Sequence, residues 1–283
     1  MLKHIPKLPS LLTATFSEWR RDRPPLLAAG IAYYAFFSII PVLVVAAAIG
    51  SLFFGQAAVD GQLTSVLNSL FGEKVAGVIQ SALVSTYSQS SNIVVAVAAV
   101  LLLLGASYVF VQLRNALNIV WKVKRREKAL KGFVEARLVS LVMVVGIAVL
   151  LLAWIIASIA FSALYTLAGI SSSFLAELSN FAAVFIVSTM LFAMTYKLLP
   201  SVRLTWEDVW LGSMVTAFLF TTGWYVLGFY LSRISIASLY GAAGSMVALL
   251  MWLYLSAHIF VFGAVFTKVF ASRHGSRSKA RKP

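Results

Sequence analysis

The chain has 283 residues, 61% hydrophobic and 11% charged, against about 45–50% apolar and about 25% charged in a soluble domain. This balance excludes an ordinary water-soluble globular fold and indicates an integral membrane protein. The net charge of +14 would suggest a nucleic-acid binder in a soluble chain, but here the basic residues flank apolar runs; they read as topology signals and as partners of anionic lipid headgroups, and no nucleic acid is expected.

At the N-terminus, Leu8, Leu11, Leu12, Phe16 and Trp19 recur at helical spacing, and Arg20, Arg21 and Arg23 follow before Pro24 and Pro25. The spacing predicts a short amphipathic helix on the cytoplasmic surface, within an arm over 1–25; a plain solvated arm is the alternative. No cleavable signal peptide is read, because the first apolar run starts near Leu26 and is too long for a signal core. Six apolar stretches follow near 27–54, 93–117, 137–165, 179–198, 208–231 and 243–270. Each can supply the about 20 residues a spanning helix needs. The expectation is an all-α, polytopic membrane domain over 26–270 with six transmembrane helices, ending in a basic, disordered cytoplasmic tail over 271–283.

Between the first two spans, Val59, Leu63, Val66, Leu67 and Leu70 share one helical face, and Val75, Val78, Ile79 and Leu83 repeat it after Gly72. Two amphipathic helices on the outer leaflet, as a packed cap or a lid, would account for this. The second span begins in lipid-like Leu101, Leu102, Leu103 and Leu104, turns half polar, and ends in the basic run Lys122, Lys124, Arg125, Arg126, Lys128 and Lys131. It reads as a helix leaving the bilayer on the cytoplasmic side. Of the 23 Lys and Arg, 21 lie in the N-terminal arm, the foot of the second span with its loop, the fourth-to-fifth connection and the tail. The positive-inside bias therefore places both termini in the cytoplasm, in agreement with an even number of spans. No internal repeat is strong enough to indicate an inverted-repeat transporter.

The chemistry is read first from what is missing. There are no cysteines, nine acidic residues and three histidines. The acids lie in loops or at span ends, and no His/Asp/Glu cluster has metal-ligand spacing. There is no phosphate-cradling G-x-x-x-x-G-K-[ST] motif. No metal, no cofactor and no enzymatic activity are expected.

Several polar and aromatic side chains nevertheless share a depth in the spans. They are Tyr33, Tyr34 and Ser38 on the first; Tyr108, Gln112, Arg114, Asn115 and Asn118 on the second; Tyr196 on the fourth; and Trp252 and His258 on the sixth. Unsatisfied polar groups are costly in lipid, so these residues are expected to line a substrate cavity open to the cytoplasm, or else to bond between helices. His258 reads as a hydrogen-bonded structural residue or a proton carrier. Pro41 is expected to kink the first span, as a structural bend or a hinge. Gly241, Gly244 and Ser245 are expected to let helices approach closely at the start of the sixth.

Collinear motifs carry a family resemblance over roughly 25–270. Ala32, Tyr33, Tyr34, Ser38 and Pro41 form A-Y-Y-x-x-x-S-x-x-P. Leu113, Ala116, Leu117, Asn118 and Trp121 form L-x-x-A-L-N-x-x-W. Tyr196, Leu199 and Pro200 form Y-x-x-L-P, with Trp206 and Gly212 beyond. Tyr240, Gly241, Gly244, Ser245, Leu250, Trp252, Tyr254, Gly263 and Ala264 complete the set. Together they resemble the YihY/BrkB family of bacterial inner-membrane proteins, with its YhjD-like branch. Many members carry a glutamate where this chain has Val265, so no role of that carboxylate transfers.

The resemblance implies a multi-pass inner-membrane location. It also implies a transporter of a lipid or amphipathic anionic solute, since BrkB-like members are linked to serum resistance and YhjD-like members to lipid A precursors. The family's former label, ribonuclease BN, needs catalytic residues this chain lacks. The rival reading is a non-transporting scaffold for envelope assembly or integrity. Membrane lipids, including anionic headgroups, are the expected partners, and homo-oligomerisation is left open.

Overall fold

The computed structural model describes residues 8–21, 23–54, 105, 108–123, 143, 146, 173–233 and 244–274. Their regular structure is helical, with no strand among the described residues. The elements are α1 (Leu8–Arg21), α2 (Pro24–Phe54), α3 (108–120), α4 (Ser173–Leu198), α5 (Trp206–Arg233) and α6 (Gly244–Arg273). Within them, Phe181–Leu198, Trp206–Tyr230 and Met246–Arg273 are long and apolar enough to cross a membrane. A fourth crossing is counted if α1 and the first part of α2 are taken as one broken span. The expected outer-loop helices over 55–92, most of the span near 137–165, Gly241 and the tail beyond His274 lie outside the described residues.

The helix ends follow from local chemistry. Pro24 and Pro25 have no N–H, so the first donors of α2 are Leu26 and Leu27, which both reach the Arg23 carbonyl at 3.1 and 3.4 Å. Arg23 itself takes a left-handed φ of 49°. The helix then runs on through Pro41 to Phe54, as membrane helices with proline can. α3 stops in a Schellman turn: Val123 N–H donates to the Asn118 carbonyl at 2.9 Å and Lys122 N–H to that of Ile119 at 3.0 Å. Lys122 pays for this with a φ of 53°, a conformation that costs a β-carbon-bearing residue about 1 kcal/mol. α5 starts at a cap in which Asp208 accepts from both the Thr205 N–H (3.0 Å) and its hydroxyl (2.7 Å).

The chain divides into two compact units, each drawn from separated segments. The first comprises 1–27, 113–224 and 258–283. Its core gathers Leu11 of α1, Leu117 and Val120 of α3, Tyr196 of α4, Val209 of α5 and Val261, Val265 and Phe266 of α6. α5 and α6 meet there through two matched glycine–threonine pairs. A β-carbon on Gly212 would overlap Thr267 Oγ1, and one on Gly263 would overlap Thr216 Oγ1. Each threonine hydroxyl donates one turn back, Thr216 to Gly212 O at 2.7 Å and Thr267 to Gly263 O at 2.8 Å. The crossing is therefore antiparallel and reciprocal, with no room for side chains at the glycines and no unsatisfied hydroxyl at the threonines.

The second unit comprises 28–112 and 225–257. In it Gln112 of α3 lies against Gly30 of α2, where an added β-carbon would sit 2.7 Å from the amide nitrogen. Ser38, buried in α2, donates to the Gly105 carbonyl at 3.0 Å. Tyr225, Val226, Phe229 and Tyr230 at the end of α5 are exposed, which suits hydrocarbon and would be costly in water.

Candidate functional site

The polar residues singled out from the sequence fall into separate groups. In the second unit, Tyr33, Tyr34 and Tyr108 form a run of ring contacts. Tyr34 meets Tyr33 edge-on at 5.5 Å and stacks on Tyr108 at 6.2 Å. All three rings are exposed, whereas Ser38 beside them is buried. Gln112 and Trp252 are half-buried members of the same unit.

In the first unit, Arg114 and Asn118 stand one turn apart on α3 and converge on Ser201, in the loop between α4 and α5. Asn118 holds Ser201 twice, accepting from its N–H at 2.8 Å and donating to its hydroxyl oxygen at 3.3 Å. Arg114, a buried cation, donates to the same oxygen at 3.1 Å. With both lone pairs of Ser201 Oγ engaged, its proton is left to donate outward, and Ser201 is exposed. Lys197 clamps the loop by donating to the Leu204 carbonyl and lying 5.4 Å over the Trp206 ring. The combination of a buried guanidinium and an outward hydroxyl suits recognition of an anion, with no nucleophile–base pair in it. Asn115, between the two, is exposed.

Tyr196 lies in the α4–α5–α6 packing, fully buried. Its hydroxyl donates to the Phe260 carbonyl at 2.8 Å and contacts Thr216 Oγ1 at 3.1 Å. Two hydroxyls thus have two protons for three contacts, counting the Thr216 bond to Gly212, so one proton is shared. His258 meets Trp19 of α1 edge-on, 6.3 Å between centroids, and Phe262, one turn further along α6, meets the same indole edge-on at 6.2 Å. Gly244 is buried.

A third cluster is one that sequence reasoning missed. Glu18 of α1 bonds through one carboxylate oxygen to Lys268 of α6 at 2.7 Å and to Lys122 at the end of α3 at 2.9 Å. Hydrogen bonds from Lys268 first, then Lys122, hold the Glu18 carboxyl down to about 2. Arg273 donates to the Ser10 carbonyl at 3.2 Å at the other end of α1. The sequence signal available was Glu18 itself, the single acid within α1. Among the described residues no three of His, Cys, Asp and Glu come together as metal ligands do.

Comparison with known proteins gives the chain its relatives. It is 26% identical to a UPF0761 membrane protein of Alkalilimnicola ehrlichii over 269 residues, covering 93% of this chain and 58% of that protein. It is 26% identical to one of Ralstonia nicotianae, over 92% of this chain and 58% of the relative. A UPF0761 membrane protein of Tolumonas auensis is 25% identical, over 94% of this chain and 88% of its own length. The chain thus spans little more than half the length of the first two relatives. No solved structure matches. The family described as Virulence factor BrkB matches residues 15–283. With that match over most of its length, and with apolar helices long enough to cross a bilayer, the chain belongs to the BrkB family of membrane proteins.

Proposed function

We propose that this chain is a six-span, N-in/C-in inner-membrane transporter that moves a lipid or amphipathic anionic solute through a polar cavity open to the cytoplasm, without enzymatic chemistry of its own. The observation that carries the reading is the buried Arg114, tied with Asn118 to the exposed Ser201 just past the apolar helix α4. Such a cation is costly to hold unless it serves a pairing or transport role. The exposed Tyr33, Tyr34 and Tyr108 supply amphipathic ring surface of the kind that suits a lipid's interfacial region. The scaffold reading is favoured by a different observation, the closely packed α5–α6 crossing with Tyr196 sealed against it.

Reconstitution decides between them. The purified chain in liposomes, given labelled anionic lipids and small anionic solutes, is expected to move one of these above protein-free vesicles, and Arg114→Gln is expected to slow that movement at least tenfold. Flux no greater than in protein-free liposomes for every probe would leave the scaffold.

A further inference from the structure

A concave site of about 430 Å3 runs along α1 from Ala14 to Arg21, against the end of α3 and the last two turns of α6, with Arg273 at its Ser10 end. Among its lining residues are four cations, Arg21, Lys122, Lys268 and Arg273, and a single carboxylate, Glu18, with the Ser272 hydroxyl beside them. They come from three elements far apart in sequence, so no local charge run explains their convergence. One carboxylate oxygen already serves two ammonium groups, Lys268 at 2.7 Å and Lys122 at 2.9 Å. That leaves a lining of four positive charges to one negative.

Like charges brought into one concave surface repel unless a further anion joins them. A carboxylate ligand would add one negative charge and two acceptor atoms. A phosphate monoester or pyrophosphate adds two or more charges and a larger set of acceptor oxygens. It also matches the mixture present, in which Arg forks bind oxygens in pairs and Lys acts as a point charge.

The geometry points to a phosphate-binding site in this corner of the molecule, built for a group carrying at least two negative charges, with Arg21, Lys122, Lys268 and Arg273 as its cations and Glu18 as the fixed counter-charge that spaces the two lysines. The group is either borne on a lipid headgroup or free in solution. The site differs from the Arg114–Asn118–Ser201 cluster and needs no transport to be occupied.

The test is binding to the full chain in neutral detergent, read as a thermal shift and by calorimetry. The probes are inorganic pyrophosphate, phosphatidic acid in mixed micelles, and phosphatidylcholine as the blank. Pyrophosphate, phosphatidic acid or both are expected to bind where phosphatidylcholine does not. Arg21→Gln with Arg273→Gln is expected to weaken that binding at least tenfold, while Arg203→Gln, in the α4–α5 loop, leaves it unchanged. Lys122→Gln leaves the Glu18–Lys268 bond that holds α1 in place and is expected to weaken the same probe at least threefold, with the melting temperature of the ligand-free chain little changed. Binding of pyrophosphate alone identifies a soluble ligand; binding of phosphatidic acid alone identifies a lipid headgroup. The site is disproved if neither probe binds above the blank, or if the double variant binds as the unaltered chain does.

Discussion

Glu18 shows how much one residue can decide in a chain this apolar. It is one of only nine acids, and it joins α1 to both α3 and α6. Its folded carboxyl is depressed to about 2 from the ordinary 4.5. A depressed carboxylate contributes stability that is full above the unfolded value and is lost as pH falls from about 4.5 through about 2. The docking of α1 is therefore expected to be constant between neutrality and pH 5 and to loosen below 4.5, by about 1 kcal/mol for a partly exposed pair. Limited proteolysis of the arm as a function of pH checks this. Glu18→Gln should cleave faster at neutral pH and show no further acid step below 4.5; an acid step retained in that variant would assign it to another group. Glu18 looks unremarkable in the sequence because its partners lie 104 and 250 residues away.

At the scale of elements, the helices divide into those readable from pattern and contacts readable only from packing. The spacing of Leu8, Leu11, Phe16 and Trp19 predicts α1, and a helix is found over Leu8–Arg21. One side of it packs, with Leu11 and Thr15 fully buried, while Leu12 and Phe16 are exposed, and with Phe262 they border a groove that ends at Arg20. The predicted spans near 179–198, 208–231 and 243–270 fall within the helices Ser173–Leu198, Trp206–Arg233 and, save for one residue, Gly244–Arg273.

Beside Gly241, Gly244 and Ser245, to which the sequence drew attention, the structure adds a close approach of α5 and α6 at Gly212 and Gly263. The repeated G-x-x-x-T spacing, Gly212 to Thr216 and Gly263 to Thr267, was the signal that could have found it. Gly263→Leu is expected to push α5 and α6 apart, and overpacking of this kind costs about 1–3 kcal/mol. The melting temperature in detergent should fall clearly, while Gly228→Leu, where nothing lies within 4 Å of an added β-carbon, should leave it unchanged. Equal melting of the two variants would mean that the crossing is not closed in the membrane protein.

For the whole molecule the proposal of both termini in the cytoplasm has a direct test, because the natural chain has no cysteine to replace. Single cysteines at Ser276 and Lys3 are expected to react with impermeant thiol reagents only from the cytoplasmic face of inside-out vesicles, and one at Ser85 only from the opposite face. Labelling of the two termini from opposite faces would overturn an even span count.

Composition and periodicity alone determined that this is a helical membrane protein and roughly where its described helices run, and collinear motifs carried the family resemblance. Those are local properties, because twenty consecutive apolar residues form a spanning helix whatever they later touch. Tertiary structure alone decided which polar residues meet: Arg114 and Asn118 at Ser201, Glu18 at Lys122 and Lys268, and Tyr196 at Thr216 and Phe260. Inside lipid every helix is apolar on most sides, so hydropathy does not say which face turns toward a neighbour. That choice is made by small residues allowing close approach and by hydroxyls, amides and charges finding partners across long stretches of chain.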